Sequence, residues 1–198
     1  MNKKIIHDAL ILTAFTLALG LILGVVYEIT KAPIAAANKA ATEAAYKEVF
    51  EEASTFEPQE FDKEQVNKTV AEAGYSDTID DVEAAKDASG NTLGYVITVT
   101  AKDGSQGSIT FSVGIQNDGT VNGYSITDIA ETPGLGMKAE EESFYSQFQN
   151  KQVDAFTVVK QAASNESEIE AITGSTITSA AMANGCNAAI LYFKTYLQ

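Results

Sequence analysis

Five hydroxyl side chains fall within seven residues near the end of the chain: Thr173, Ser175, Thr176, Thr178 and Ser179, in the run Glu170-Ala-Ile-Thr-Gly-Ser-Thr-Ile-Thr-Ser179. Hydroxyls suit the amino end of a helix, because their oxygens accept hydrogen bonds from N–H groups that have no partner in the first turn. The same end carries a partial positive charge of roughly half a proton, so it also stabilises a phosphate. These residues alone support two readings, a capped helix without ligand and a phosphate seat. A second segment, Glu131-Thr-Pro-Gly-Leu-Gly-Met-Lys138, places Pro133 and Gly134 as the central pair of a type II turn, with Gly136 leaving the backbone open. Such a turn can press N–H groups against a flat ligand, or it can simply be a turn.

The elements that must position these segments follow from periodicity. Leu93 to Ala101 alternates Tyr95, Ile97 and Val99 against Val96, Thr98 and Thr100, and Ser108 to Ile115 and Thr120 to Ile126 alternate likewise. Asp103-Gly104 and Asp118-Gly119 separate the runs, which predicts an antiparallel meander. A short helical stretch is expected around Glu140 to Gln149 and a strand at Ala155 to Val159. A closing helix is expected to start near Thr178. On it Met182, Cys186, Ala189, Phe193 and Leu197 form one apolar stripe, so Cys186 reads as core rather than as a reactive thiol. Ahead of the strands, Ala35 to Ala53 predicts an amphipathic helix interrupted at Pro58, and Lys63 to Ala73 a second helix capped by Gly74. The fold class is α+β, with helices packed on an antiparallel sheet.

Ala9 to Val26 carries no charge over 18 residues. At 1.5 Å per residue this is enough to cross a hydrocarbon core of about 30 Å. The competing reading is a cleaved signal peptide, for which Pro33 to Ala37 offers small residues at a cleavage site. Lys3 and Lys4 favour a cytoplasmic leader. The expected organisation is a leader over 1–8, a transmembrane helix in contact with lipid over 9–29, a helical stalk and domain entry over 30–74, and an extracytoplasmic domain over 75–198. His7 and Asp8 lie near the cytoplasmic edge, within reach of headgroups, and suggest no proton relay.

Composition narrows the function. The 198 residues hold 13 basic side chains, all lysine, against 27 acidic ones, for a net charge of −14. A chain so acidic, with no guanidinium to fork onto phosphates, is repelled by the nucleic-acid backbone, so no nucleic-acid partner is expected. One cysteine and one histidine exclude an internal disulfide and a structural zinc of the usual ligands. No dinucleotide fingerprint and no cysteine cluster for an iron-sulfur centre occurs.

Ile172-Thr-Gly-Ser-Thr-Ile-Thr-Ser179 resembles the flavinylation motif of the FMN-binding domain family, and Glu131 to Gly136 resembles that family's second signature. With the amino-terminal span and the same motif order, the chain is similar to the G subunits of Rnf electron-transport complexes. The related C subunits of sodium-translocating NADH:quinone reductases are the nearest competitors. The resemblance implies covalent FMN, held by a phosphoester on the Thr176 hydroxyl and installed by a flavin transferase. Thr173 and Gly174 fit the motif; Ser175 stands where alanine is usual, and Glu170 stands where aspartate is common. Thr178 and Ser179 are the alternative attachment points. Leu135 is implied to pack on the ring face, with Gly134 and Gly136 flanking it and Glu131, Thr132 and Lys138 at the polar edge. The family implies an electron relay within an ion-translocating (Na⁺ or H⁺) ferredoxin:NAD⁺ oxidoreductase, with other membrane subunits of the Rnf complex as partners. A stand-alone extracytoplasmic FMN-domain reductase and a non-redox anchored binding module are the rival readings.

Overall fold

The computed structural model describes residues 3–198; Met1 and Asn2 of the expected leader lie outside the described residues. Helix α1 (Lys3–Val49) is a single helix with Pro33 inside it. Up to Ala41 it forms one unit, and from Thr42 onward the chain belongs to a compact domain. In the first unit the apolar side chains from Ile5 to Ile34 are exposed. The helix is long and apolar enough to cross a membrane.

The domain is built on a five-stranded antiparallel sheet in the order β1 (Thr55–Pro58), β2 (Thr78–Lys86), β3 (Thr92–Ala101), β4 (Ile109–Gln116), β5 (Val121–Asp128). The expected meander is present as β3–β5, in a register that pairs Thr98 with Ser112 and Ser112 with Ser125. Helix α2 (Lys63–Glu72) joins β1 to β2; Asp62 accepts from the Gln65 N–H at its start, and Gly74 has φ +94° just past its end. After β5 come a 3₁₀ turn (Gly136–Glu140), α3 (Glu142–Tyr145), a second 3₁₀ turn (Ser146–Phe148), and a parallel pair of β6 (Thr157–Val159) and β7 (Glu168–Glu170). Helix α4 (Thr176–Tyr192) closes the domain, with a π-helical turn at Phe193–Leu197.

Three expectations are corrected. The helix expected over Ala35 to Ala53 ends at Val49, and Pro58 ends a strand instead of breaking a helix. The chain turns after Phe50, and pairing with β2 takes over when the Ser54 N–H donates to the Lys86 carbonyl (2.6 Å). Two helices therefore do not lead an uninterrupted run of strands: β1 separates them. Strand β2 was not expected, because a register shift between Ile79 and Asp81 breaks its two-residue alternation. Strand β7 was also unforeseen, being only three residues long.

Side chains on one sheet face, among them Ile79, Val82, Ile97, Val99, Phe111 and Ile115, share the main core with Met182, Cys186, Ala189 and Phe193 of the closing helical segment. The predicted stripe is thus buried at these four positions, and burial pushes the Cys186 thiol well up from its ordinary range. The other face carries Val96 and Ala85 and is covered by Tyr46, Val49, Phe50 and Ala53. On that face Thr98 lies between Tyr46 Oη (3.5 Å) and Ser112 Oγ (3.3 Å). Burial of the Tyr46 phenol pushes its pKa up to about 12. An aromatic cluster, in which Phe148 touches Tyr124, Phe144 and Phe156, ties the segment after β5 to the sheet.

Candidate functional site

The two segments singled out in the sequence meet in space. In the first, the Leu135 N–H donates to the Thr132 carbonyl (3.1 Å), closing a turn over Pro133 and Gly134. Gly134 at the third position has φ +74°, as a type II turn requires. The turn presents Leu135, a large apolar side chain, 42% exposed. In the second, Gly174 at φ +81° turns the chain into α4. Leu135 Cδ2 lies 3.2 Å from where a β-carbon on Gly174 would sit, so each loop leaves room for the other. Gly136 does not keep the backbone open as expected. It is buried, and a β-carbon there would fall 2.5 Å from Glu131 Oε2 and 2.8 Å from Thr178 Oγ1.

The five hydroxyls divide between two roles. Thr178 and Ser179 are fully buried, at 0% exposure, and Ser175 is nearly so. Ser175 is the N-cap residue of α4 but makes no side-chain cap hydrogen bond; its Oγ pairs with Thr178 Oγ1 at 3.1 Å. Ser179 Oγ accepts from the Ile172 N–H (3.0 Å) and donates to the Ser175 carbonyl (2.9 Å), locking the loop. Thr173 and Thr176 are exposed. Among the described residues the first turn of α4 therefore has no side-chain cap, and its first residue offers a hydroxyl at the surface.

The residues expected around a ring are spread. Thr132 and Gly134 are exposed in the turn, and Lys138 is half-buried beside a cleft of about 450 Å³. Thr173, Phe144, Gln147 and Glu170 also line that cleft. It falls in the size range of ordinary ligand pockets, about 300–1,000 Å³. Glu131 is not at a polar edge: it is 5% exposed and turned onto the β3–β4 loop, where Oε1 accepts from the Gln106 N–H at 3.2 Å. Sequence reasoning missed Ile177, which is 60% exposed next to Thr176. Among the large apolar side chains of the domain, only Leu135 and Tyr196, each 42% exposed, are exposed as well, and Leu135 lies against Gly174 of the motif. The signal in the sequence was an isoleucine between two threonines, off the stripe set by Met182 and Cys186.

An uncapped helix start with a surface hydroxyl, next to exposed apolar side chains and a cleft, fits a phosphate-bearing planar cofactor. Comparison with known proteins bears on the class: residues 104–191 match the FMN-binding domain family. Residues 1–49 match the RnfG N-terminal region. A relative from Acetobacterium woodii, the G subunit of its Na(+)-translocating ferredoxin:NAD(+) oxidoreductase complex, is 31% identical over 196 residues, covering 97% of this chain and 93% of the relative. The chain belongs to this RnfG family. In Clostridium ljungdahlii the G subunit of the proton-translocating ferredoxin:NAD(+) oxidoreductase complex is 43% identical over 105 residues, 53% of this chain and 56% of the relative, so that match spans about half of it. The C subunit of the Na(+)-translocating NADH-quinone reductase from Parabacteroides distasonis aligns over 72% of this chain and 78% of its own, with 22% identity and a TM-score of 0.49. Together, family membership and the apolar α1 make this a membrane-anchored protein.

Proposed function

We propose that this chain is the covalently flavinylated electron-transfer subunit of an ion-translocating ferredoxin:NAD⁺ oxidoreductase complex, with FMN esterified to Thr176. The observation that carries the reading is the division of hydroxyls: Thr178 and Ser179 are buried and hydrogen bonded within the protein, while Thr176, first residue of α4, is exposed. The complex is inferred from the names of the relatives in Acetobacterium woodii and Clostridium ljungdahlii.

FMN held there supplies a carrier able to accept and pass on electrons, and the protein tunes it by hydrogen bonds and charge. Thr176 provides the oxygen of the phosphoester. The uncapped first turn of α4 stabilises the phosphate through its N–H groups and dipole. Thr173, Gly174 and Ser175 shape the approach, and Leu135 and Ile177 supply apolar surface beside the attachment point. Thr132 and Lys138 would supply polar contacts to the ring. Glu140, Glu141, Glu142 and Glu170, all exposed nearby, make the surround acidic, which disfavours an anionic reduced flavin.

Residues 9–29 contact lipid, the short leader with Lys3 and Lys4 stays in the cytoplasm, and the domain from 75 onward is extracytoplasmic. Other membrane subunits are its partners and a flavin transferase matures it. The test is peptide mass spectrometry of the native protein. The tryptic fragment from Gln161 to Lys194 gains one FMN-sized increment, and Thr176→Ala removes it while leaving the fold intact. An increment found on Thr178 or Ser179, or one surviving Thr176→Ala, overturns the assignment.

A further inference from the structure

Glu131 touches two parts of the domain, the loop between β3 and β4 and the Gly136 backbone. Its Oε1 accepts the Gln106 N–H (3.2 Å) and lies 3.0 Å from where a β-carbon on Gly104 would sit, so it holds the loop between β3 and β4. Its Oε2 packs against Gly136 so closely that no side chain fits between them. Gly136 in turn abuts Thr178 Oγ1, and Thr178 pairs with Ser175, the residue before Thr176. The contacts run without a gap from Gln106 through one buried carboxylate to the start of α4. Glu131 is 5% exposed, with Oε1 bonded to the β3–β4 loop and Oε2 packed on Gly136, so its carboxylate faces the protein interior.

We propose that Glu131 is a positioning residue of the flavin site: its carboxylate joins the β3–β4 loop to the Gly136 backbone and so fixes the Leu135 turn against the Ser175–Thr178 step. This rests on the reading of Thr176 as the flavin-bearing residue. These contacts need only an acceptor of the right reach at Oε1 and a compact oxygen or nitrogen at Oε2. Glutamine meets both demands and alanine meets neither. The charge itself is not what the geometry uses.

The experiment takes the full chain, produced in detergent with and without a flavin transferase, as wild type, Glu131→Ala, Glu131→Gln and Gly136→Ala. In the unmodified protein, amide hydrogen exchange of the segments containing Gln106 and Leu135–Lys138 reads the clamp directly. It should rise at least tenfold in Glu131→Ala and stay within twofold of wild type in Glu131→Gln. With the transferase, the FMN-bearing fraction of the 161–194 peptide should fall severalfold in Glu131→Ala and in Gly136→Ala, and Glu131→Gln should restore it. The midpoint potential of loaded Glu131→Gln should match wild type. Wild-type exchange and loading in Glu131→Ala overturns the proposal, as does a shifted potential in loaded Glu131→Gln, which would put the charge in contact with the flavin. If Glu131→Ala is not recovered folded, Gly136→Ala and Glu131→Gln decide the matter by the same readouts. A wild-type chain without FMN refutes the functional reading instead, and the exchange data still test the clamp.

Discussion

Asp77, just ahead of β2, is 3% exposed, and neither carboxylate oxygen has a hydrogen-bond partner among the described residues. Burial, then the nearby Asp103 charge, push its pKa from an ordinary 3.8 up to about 6, with Lys102 pulling it back in part. At ~1.4 kcal/mol per pH unit, that displacement makes the ionised side chain about 3 kcal/mol costlier in the folded protein. The sign follows from proton counting. Below about pH 4 both states hold the proton and the site contributes nothing; between about 4 and 6 only the folded state holds it, so stability falls as pH rises; above 6 the penalty is constant. Asp77→Asn removes the charge and brings an amide that arrives unpaired, at a cost of ~1 kcal/mol. The variant should therefore be less stable than wild type by about 1 kcal/mol at pH 4 and more stable by about 2 kcal/mol at pH 7.5. Urea unfolding of the full chain in detergent, followed by tyrosine near-ultraviolet circular dichroism, measures both. The crossing of the two stability curves is the signature. If the variant keeps the wild-type slope between pH 4 and 6, Asp77 is not a buried, proton-holding carboxyl and the reasoning fails.

Further outcomes follow from other sites. Glu83, held at a pKa of about 7 by burial and then by the Asp81 charge, has the same sign in a higher window: Glu83→Gln should flatten the loss of stability as pH rises from about 4.5 to 7, measured by the same titration. A methyl at position 185 would fall 2.5 Å from Phe111 Cζ, where α4 meets the sheet, so Gly185→Ala should destabilise by ~1–3 kcal/mol through overpacking. Unchanged urea midpoints would contradict that contact. Thr176→Ala alters an exposed side chain and should shift stability by less than ~0.5 kcal/mol, while the FMN increment disappears from the mass spectrum.

The strands with clean alternation were legible. Ile97 and Val99 face the core and Thr98 faces the other layer, as their spacing requires. What escaped was set by tertiary pairing. Strand β2 reads Thr-Ile-Asp-Asp-Val-Glu-Ala-Ala-Lys, and its irregularity at Asp80 moves the inward positions from Ile79 to Val82. Its place between β1 and β3 comes from partners on both sides and not from its own propensity. The site was legible as two loops, but Glu131 and Ile177 were not. Glutamate is normally solvated and isoleucine normally buried, and here the carboxylate is interior and the isoleucine outside. That inversion could be seen only once Gln106 was brought to Glu131 by the β3–β4 hairpin.

An ordinary capped helix needs one side chain to accept an N–H of the first turn, and this segment has five hydroxyls without using Ser175 in that way. Ser175 and Thr178 bind each other, and Ser179 ties the helix back to Ile172, so three hydroxyls rigidify the turn instead of capping it. Backbone groups at a helix start left without a side-chain cap carry an unmet demand for an acceptor. Capping alone thus does not account for the composition of 173–179. A turn stiffened from within, abutted by Gly136 and Leu135, and bearing Thr176 on its outer side suits the fixed attachment point proposed above, where the phosphate of an esterified FMN would complete the cap that Ser175 leaves undone.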